Sequence, residues 1–184
     1  LDKITGGFQA GELVIFTAET GVGKTLLAQQ TRLHACTSGL HTLFASAEMG
    51  AEHLLSRDLP TAAGVRRFKL RQPEKLNRDD FGALLEAAAH QCELCRVLDG
   101  AVSIARIRRA ARQMRNSGGL DLIIIDYDEL VEAPGETELD QQRNVAVGSK
   151  RLAVEFRIPV IVISQLRKLL KGEDRRQPSL QRLY

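Results

Sequence analysis

The chain has 184 residues, of which 43% are hydrophobic and 27% charged, and its formal net charge is +3 at pH 7. These values are typical of one soluble globular domain, and so small a net charge neither demands nor excludes nucleic acid. Three cysteines form an odd set, which argues against a secreted disulfide scaffold. No apolar run approaches the ~18 residues that a membrane span needs, and no signal segment opens the chain. We therefore expect a cytoplasmic protein without a membrane partner.

Apolar runs alternate with helical patterns along the chain, which predicts an α/β fold with a parallel sheet. The predicted strands are residues 12–18, 41–46, 97–98, 120–126 and 159–164, of which the first and last are expected to be buried. The predicted helices are residues 24–38, 51–59, 78–95, 103–116 and 139–157. We expect Pro60 to end the second helix, residues 61–77 to form a surface loop, and residues 166–184 to be irregular and basic. Asn77 and Ser103 are predicted helix N-caps.

The ends of the chain suggest that it is an excerpt. It begins directly at Leu1 and stops at Tyr184 without obvious tails. We expect one domain, residues 1–184, taken from a longer protein.

Residues 18–25 read Ala-Glu-Thr-Gly-Val-Gly-Lys-Thr and lie between a predicted strand and a predicted helix. This is the context that a phosphate-binding loop requires. Backbone N–H groups of such a loop point at phosphate oxygens, and the helix N-terminus adds about half a positive charge. Gly21 and Gly23 are expected to let the backbone approach where a side chain would clash. The predicted nucleotide-binding residues of this segment are Thr20, Gly21, Val22, Gly23, Lys24, Thr25 and Leu26.

Three polar residues lie at or just after the ends of predicted strands, at the edge where α/β folds bind ligands. Asp126 ends the most apolar strand and could hold a Mg²⁺-bound water together with Thr25. Glu48 follows the second strand and could deprotonate an attacking water, although a helix N-terminal Glu is equally common. Gln165 follows the last predicted strand and could reach a γ-phosphate, but taken alone it is a weak signal.

Several short motifs together resemble the ATPase domain of DnaB-type replicative helicases, within the RecA-like superfamily. The resemblance runs from Leu1 to about Leu183 and includes the phosphate loop, in which Ala18 at the first position is common in that family. The other matching segments are Gly6-Gly7-Phe8-Gln9-Ala10-Gly11-Glu12-Leu13, Ser46-Ala47-Glu48-Met49, Ile125-Asp126-Tyr127, Pro159-Val160-Ile161 and Ser164-Gln165-Leu166. The resemblance implies a RecA-like P-loop NTPase fold, with a mostly parallel central sheet flanked by helices on both faces.

The resemblance also implies roles for single residues. Lys24 and Thr25 would be the Walker A pair, Glu48 the catalytic base, Asp126 the Walker B acid and Gln165 the γ-phosphate sensor. Arg57 matches an arginine that lies near the adenine in the family, although a solvated helix arginine remains an equal alternative. The implied cofactors are ATP and Mg²⁺, and the implied assembly is a hexameric ring on single-stranded DNA.

This chain departs from the family pattern at several positions. Asp128-Glu129-Leu130 replaces the usual Leu-Gln-Leu, and Asn144 falls where the family tends to carry Glu. The final residues replace a pattern that ends Asp-Leu-Arg, beside the family's DNA-contacting loop. The family's arginine finger lies beyond the point that matches Tyr184. DNA contact is expected from the basic tail, with Arg167, Lys168, Lys171 and Arg182 as the candidate residues.

Two further patterns favour ordinary structural explanations. The helix over residues 103–116 carries five arginines opposite an apolar stripe, which is typical of a solvated or subunit-facing helix. Cys92 and Cys95 form a single CxxC near His90, and their place at the end of a helix favours buried core thiols over a zinc site.

The leading functional prediction is an ATP-hydrolysing motor domain of a DnaB-type ring helicase that acts on single-stranded DNA in replication. One alternative is a RecA-like regulatory or recombination-type ATPase without unwinding activity. Such relatives tend to carry paired glutamates after the second strand, whereas Glu48 stands alone here. A second alternative is a nucleotide-binding module that no longer hydrolyses, which the changed residues near Asp128 and Tyr184 leave open.

Overall fold

A computed structural model describes residues 6–126 and 131–165. Within these ranges the chain forms five strands that pair side by side in parallel, in the order β1-β5-β4-β2-β3. The predicted parallel sheet is therefore confirmed. The strands are β1 Leu13–Ala18, β2 Thr42–Ser46, β3 Cys95–Leu98, β4 Leu122–Asp126 and β5 Val160–Gln165.

Six helices connect these strands, and side chains cap three of them at the N-terminus. The helices are α1 Lys24–Thr37, α2 Ala51–Ala62, α3 Arg67–Leu70, α4 Arg78–Leu94, α5 Ile104–Ser117 and α6 Glu138–Phe156. Asn77 forms a capping box with Asp80 at the start of α4, and Ser103 accepts a hydrogen bond from the Arg106 N–H at the start of α5. Thr137 caps α6 in the same way. Both N-caps predicted from the sequence are confirmed.

The sheet carries an apolar core on each face, because alternate side chains of a strand point to opposite sides. One face, here called the scaffold face, includes Ile123, Ile125, Val160 and Val162 packed under α5 and α6. The opposite face, here called the nucleotide face, includes Phe44, Ile124 and Ile161 packed under α1 and α2. Helices therefore cover both faces, as the resemblance implied.

The register of the sheet brings the carboxyl ends of its strands to one edge. Ala18 at the end of β1 pairs with Gln165, and Ser46 at the end of β2 pairs with Asp126. The loop after β1 and the acid at the end of β4 therefore lie at this same edge. Gln165 is the last residue of β5 rather than the residue after the strand.

Three predictions about local structure were wrong. Pro60 lies inside α2, which continues to Ala62; the missing N–H of Pro60 removes one backbone hydrogen bond, and only two residues of the helix follow it. Residues 61–77 contain the short helix α3 and a 3-10 turn over Pro73–Lys75 rather than only a loop. β1 is only partly buried, with Ile15 46% exposed, since β1 is an edge strand within the described residues.

The cysteine prediction was also wrong in part. Cys92 is exposed on α4, and Cys95 is half-buried as the first residue of β3. The third cysteine, Cys36, is fully buried on α1. None of the helices in the described ranges is long and apolar enough to cross a membrane.

Candidate functional site

The loop between β1 and α1 has the backbone conformation that a phosphate-binding loop needs. Gly21 has φ 83° and Gly23 has φ 98°, both in the left-handed region that favours glycine. A Cβ at either position would meet no protein atom within 4 Å. The glycines are therefore needed for backbone conformation, and the clash of a side chain with a bound phosphate stays a prediction. Gly23 is also the N-cap of α1, and no side chain hydrogen-bonds to that helix end.

Lys24 folds back over this loop from the first turn of α1. Its Nζ lies 2.5 Å from the carbonyl oxygen of Ala18 and 3.1 Å from that of Glu19. The ammonium group is thereby held above the loop, next to the N-terminus of a 14-residue helix that no side chain caps. A cation and the positive end of a helix dipole in one place favour an anionic ligand.

Thr25 links the loop to the acid at the end of β4. The Thr25 hydroxyl donates a hydrogen bond of 3.3 Å to Asp126 Oδ1. Asp126 is fully buried, and its backbone carbonyl accepts a 2.9 Å hydrogen bond from the Ala47 N–H. The second carboxylate oxygen, Oδ2, has no hydrogen-bond partner among the described residues. The Asp126 carboxylate therefore has one oxygen bonded to Thr25 and a second oxygen without a hydrogen-bond partner among the described residues.

The pKa of Asp126 is raised to about 6, mainly by burial and to a smaller extent by the nearby Glu48 carboxylate. The Thr25 hydrogen bond and the Lys24 charge act in the opposite direction. An unpartnered oxygen on a buried acid destabilises the folded chain unless a ligand satisfies it. The arrangement therefore fits a site for a cation at Asp126 and Thr25.

Glu48 lies in the turn that follows β2. The Met49 N–H donates to Ser46 Oγ at 3.0 Å, which shapes this turn, and the Glu48 side chain is exposed. Arg57 reaches from α2 towards the same turn, where its Nη1 lies 3.7 Å from Met49 Sδ. An exposed carboxylate and an exposed guanidinium therefore flank the loop from the β2 side.

One cavity of about 780 Å³ joins these groups at the carboxyl edge of the sheet. Of the residues predicted to bind nucleotide or to act in catalysis, all those in the described ranges line it except Val22, which is 69% exposed. The predicted residues that line the cavity are Thr20, Gly21, Gly23, Lys24, Thr25, Leu26, Glu48, Arg57, Asp126 and Gln165. The structure thus brings together groups that lie up to 145 residues apart in sequence (Thr20 to Gln165).

Sequence reasoning missed several other residues that line this cavity. Asp58, Thr61 and Arg67 line it from α2 and α3, and Gln29 lines it from α1. Gln29 is 1% exposed, and neither of its side-chain polar atoms has a partner among the residues that the structure describes. Gln29 lies on the same side of α1 as the buried residues Ala28, Arg32 and Ala35. The helical period of the sequence could therefore have predicted that Gln29 is buried.

The donor set at the loop fits Mg²⁺. Oxygen atoms of a hydroxyl and a carboxylate are hard ligands, and Mg²⁺ is usually held by one or two protein groups together with phosphate oxygens and water. No group of three His, Cys, Asp or Glu side chains suited to a metal occurs in residues 6–126 and 131–165. Thr25 and Asp126, with the leftover Oδ2, are the residues here that would hold such an ion.

The predicted DNA-binding residues lie outside the described ranges. Arg167, Lys168, Lys171 and Arg182 fall within residues 166–184, and the acidic substitution at Asp128 and Glu129 falls within residues 127–130. The structure therefore does not test these predictions. In sequence, the basic segment begins directly after Gln165, which lines the cavity.

The strand–loop–helix unit, the parallel sheet and the buried acid beside the loop threonine define a phosphate-loop α/β domain of the RecA-like class. Comparison with known proteins narrows this class. Residues 1–183 match the family of DnaB-like helicase C-terminal domains, and the chain belongs to that family.

Curated relatives in this family are replicative DNA helicases. The chain is 31% identical over 186 residues to the replicative DNA helicase DnaB of Geobacillus stearothermophilus. This alignment covers 98% of the present chain and 41% of the relative. The chain is also 32% identical over 185 residues to the replicative DNA helicase DnaB of Pasteurella multocida, in an alignment that covers 97% of the present chain and 40% of the relative. The chain thus spans about two fifths of the length of these relatives.

Two solved structures share the fold. One of them, the structure of an ATPase domain, superposes with a TM-score of 0.85 at 23% identity, covering 99% of this chain and 66% of that one. The other, a DnaB-like replicative helicase solved in a study of its interactions with primase, also gives 0.85 at 23% identity, covering 100% of this chain and 45% of that one. At this identity the likeness establishes the RecA-like fold, as the resemblance predicted.

Proposed function

We propose that this chain is the ATP-hydrolysing motor domain of a DnaB-type ring helicase that acts on single-stranded DNA in replication. The observation that carries the proposal is the hydrogen bond between Thr25 and the buried Asp126, in a cavity that Lys24 and Glu48 also line. Family membership and the replicative helicases among the relatives support the same function.

In this proposal the phosphate loop binds the triphosphate of ATP. Lys24 exchanges its two carbonyl partners for phosphate oxygens, and the N–H groups at the start of α1 donate to them. Thr25, and Asp126 through a bound water, would hold Mg²⁺, which would neutralise charge on the phosphate oxygens. Arg57 and Arg67 also line the cavity, where a planar guanidinium can stack on the base.

Hydrolysis requires a base that can take a proton from water. Glu48 suits this role because it is an exposed carboxylate that lines the same cavity as Lys24. Burial sets Asp126 apart, so the two acids have different tasks: Asp126 stays in place as a ligand and Glu48 moves a proton. Gln165 ends β5 at the cavity and directly precedes the basic segment in sequence, so it can pass the loss of the γ-phosphate to that segment.

DNA and subunit partners are proposed on family grounds and on charge. Arg167, Lys168, Lys171 and Arg182 would contact DNA phosphates, and such contacts weaken as salt rises. A hexameric ring would place ATP between subunits, with the arginine finger supplied by residues beyond the point that matches Tyr184.

The direct test is ATP turnover of the protein extended past Tyr184, which includes the residues proposed to supply the arginine finger, measured with and without single-stranded DNA. We expect DNA to stimulate turnover, and we expect Lys24→Ala to abolish it because the outer phosphates lose their cation. Arg109→Ala is the matched control, since Arg109 is exposed on α5 and away from the cavity. Failure of DNA to stimulate turnover in the parent protein would contradict the motor function, and normal turnover in Lys24→Ala would contradict the site.

A further inference from the structure

Two cysteines that are distant in sequence meet in the interior between α1, β2 and β3. Cys36, in the last turn of α1, is fully buried, and its Sγ lies 3.3 Å from the Thr42 hydroxyl. Thr42 begins β2 and is the register partner of Cys95, which begins β3. Each of the two thiols also shifts the pKa of the other. Both sulphur atoms therefore converge on one side chain, Thr42.

A buried cation stands beside these thiols. Arg32, one turn before Cys36 on α1, is 1% exposed and forms an ion pair with Asp58 of α2. Burial acts to lower the pKa of Arg32, but the charges of Cys95 and Asp58 outweigh it and raise that pKa. Arg32 therefore stays charged and favours an anionic sulphur next to it.

The surroundings give the two thiols different protonation states. Interaction with the Cys36 thiol is the largest effect that lowers the pKa of Cys95, and the charge of Arg32 adds to it against burial. The same interaction and burial raise the pKa of Cys36. The surroundings therefore favour the thiolate at Cys95 and the protonated thiol at Cys36. A thiolate beside a second thiol is the usual arrangement of a redox-active pair.

Small molecules can reach one of these sulphurs. Cys95 is half-buried and lines a surface cavity of about 240 Å³, together with the exposed Cys92. Cys36 has no exposed surface and does not line this cavity. An oxidant entering from solvent therefore meets Cys95 before Cys36.

We propose that Cys36 and Cys95 form a redox-active dithiol that a small hydroperoxide converts into an internal disulfide joining α1 to β3. The Cys95 thiolate attacks one peroxide oxygen, which forms a sulfenic acid and releases hydroxide; the hydroxide takes up the proton that Cys95 had lost. The Cys36 sulphur then attacks the sulfenic sulphur, and the departing hydroxyl leaves as water with the Cys36 proton. The two thiols lose two electrons in total, and hydrogen peroxide is reduced to two waters.

Peptide mapping after mild oxidation tests this proposal in the parent protein. The protein is treated with hydrogen peroxide, free thiols are alkylated, and the chain is cleaved after glutamates. Because Glu93 lies between Cys92 and Cys95, this cleavage places the two in separate peptides. We expect one linked species that contains Cys36 and Cys95 and disappears on reduction with dithiothreitol. A link between Cys92 and Cys95, or oxidation without any internal link, would overturn the proposal.

Single variants and thermal unfolding provide the controls. Cys92→Ser should retain the linked species, whereas Cys36→Ala should lose it; circular dichroism checks that each variant is folded. Closing a loop of this length restricts the unfolded chain, so the oxidised parent should unfold at a higher temperature than the reduced parent. Cys36→Ala should show no such shift. Loss of the link in a folded Cys92→Ser variant would overturn the proposal. These readouts do not depend on ATP hydrolysis, so they test the dithiol separately from the proposed motor function.

Discussion

The two faces of the sheet differ in whether they bury charged side chains. On the scaffold face, Ile107, Ile123 and Leu152 belong to one large apolar cluster. On the nucleotide face, the apolar cluster is smaller and is interrupted by charge. The buried charged residues in the described ranges are Arg32, Asp58 and Asp126. Arg32 lies on α1, Asp58 forms an ion pair with it, and Asp126 accepts a hydrogen bond from Thr25 of α1. Within the described residues, the protein therefore keeps buried charge off the scaffold face and tolerates it beside the edge where chemistry is proposed.

The largest expected effect comes from breaking the buried ion pair on the nucleotide face. Arg32→Met leaves the Asp58 carboxylate buried without its partner, and removing one member of such a pair destabilises a protein by about 3–5 kcal/mol. Urea unfolding followed by circular dichroism measures this loss.

The double variant Arg32→Met with Asp58→Leu distinguishes the effect of an unpaired buried charge from the effect of lost packing. Replacing both charges with apolar groups of similar size should recover most of the lost stability, because a buried pair contributes little net free energy. If the double variant is as unstable as the single one, the destabilisation comes from lost packing and the account of this face is wrong.

Asp126→Asn should stabilise the folded chain above pH 6 in the absence of nucleotide and divalent ions. The pKa of Asp126 in the folded protein is about 6, above the ordinary aspartate value near 4. The folded state therefore binds the proton more tightly than the unfolded state, and the parent loses stability as pH rises from about 4 to about 6. The Asn variant avoids this loss, which corresponds to about 3 kcal/mol.

The pH dependence of the difference is the decisive readout for Asp126. The parent and Asp126→Asn should have similar free energies of unfolding at pH 4, and the variant should be more stable at pH 8. Other titrating groups cancel because they are common to both proteins. A stability difference that is the same at both pH values would contradict the assignment of this buried carboxyl.

A smaller effect is expected where the scaffold face is most tightly packed. A Cβ at Gly148 of α6 would lie 2.9 Å from Ile104 Cγ1 and 3.0 Å from its Cγ2. Because both branches of Ile104 are close, rotation cannot relieve the overlap, and overpacking of this kind costs about 1–3 kcal/mol. Alanine also gains about 1 kcal/mol over glycine inside a helix, so Gly148→Ala should destabilise by about 1 kcal/mol net.

Gly82→Ala is the matched control for this helix substitution. Gly82 lies inside α4, and its added Cβ would meet nothing within 4 Å. This variant should therefore be stabilised by about 0.5–1 kcal/mol, since only the helix propensity changes. Equal effects at the two glycines, measured by thermal unfolding, would show that the α5–α6 packing is looser than described.

The order of elements and the carboxyl-edge site could be predicted from the sequence because both depend on local patterns. The run Leu122–Asp126 identifies a buried strand by composition alone, and a parallel sheet brings strand ends to one edge. Asp126 and Gln165 could therefore be placed near the phosphate loop before the register was known.

Residues whose placement depends on packing between helices could not be predicted in this way. In the sequence, Arg32 has the features of an ordinary surface arginine. Its burial is tolerated because the Asp58 carboxylate of α2 forms an ion pair with it. Arg67 reaches the cavity because α2 continues through Pro60 and α3 follows it. Cys36 and Cys95 meet because β3 pairs with β2, a contact that no local pattern encodes.

The central claim is that the carboxyl edge hydrolyses ATP, with Glu48 as the base and the phosphate loop as the binding site. The most direct measurement is ATP binding and single-turnover hydrolysis of Glu48→Gln, compared with Glu52→Gln, an exposed acid in the first turn of α2 that does not line the cavity. We predict that Glu48→Gln binds ATP as the parent does but hydrolyses it about 10²–10⁴-fold more slowly, whereas Glu52→Gln behaves like the parent. Hydrolysis at the parental rate in Glu48→Gln would contradict the account.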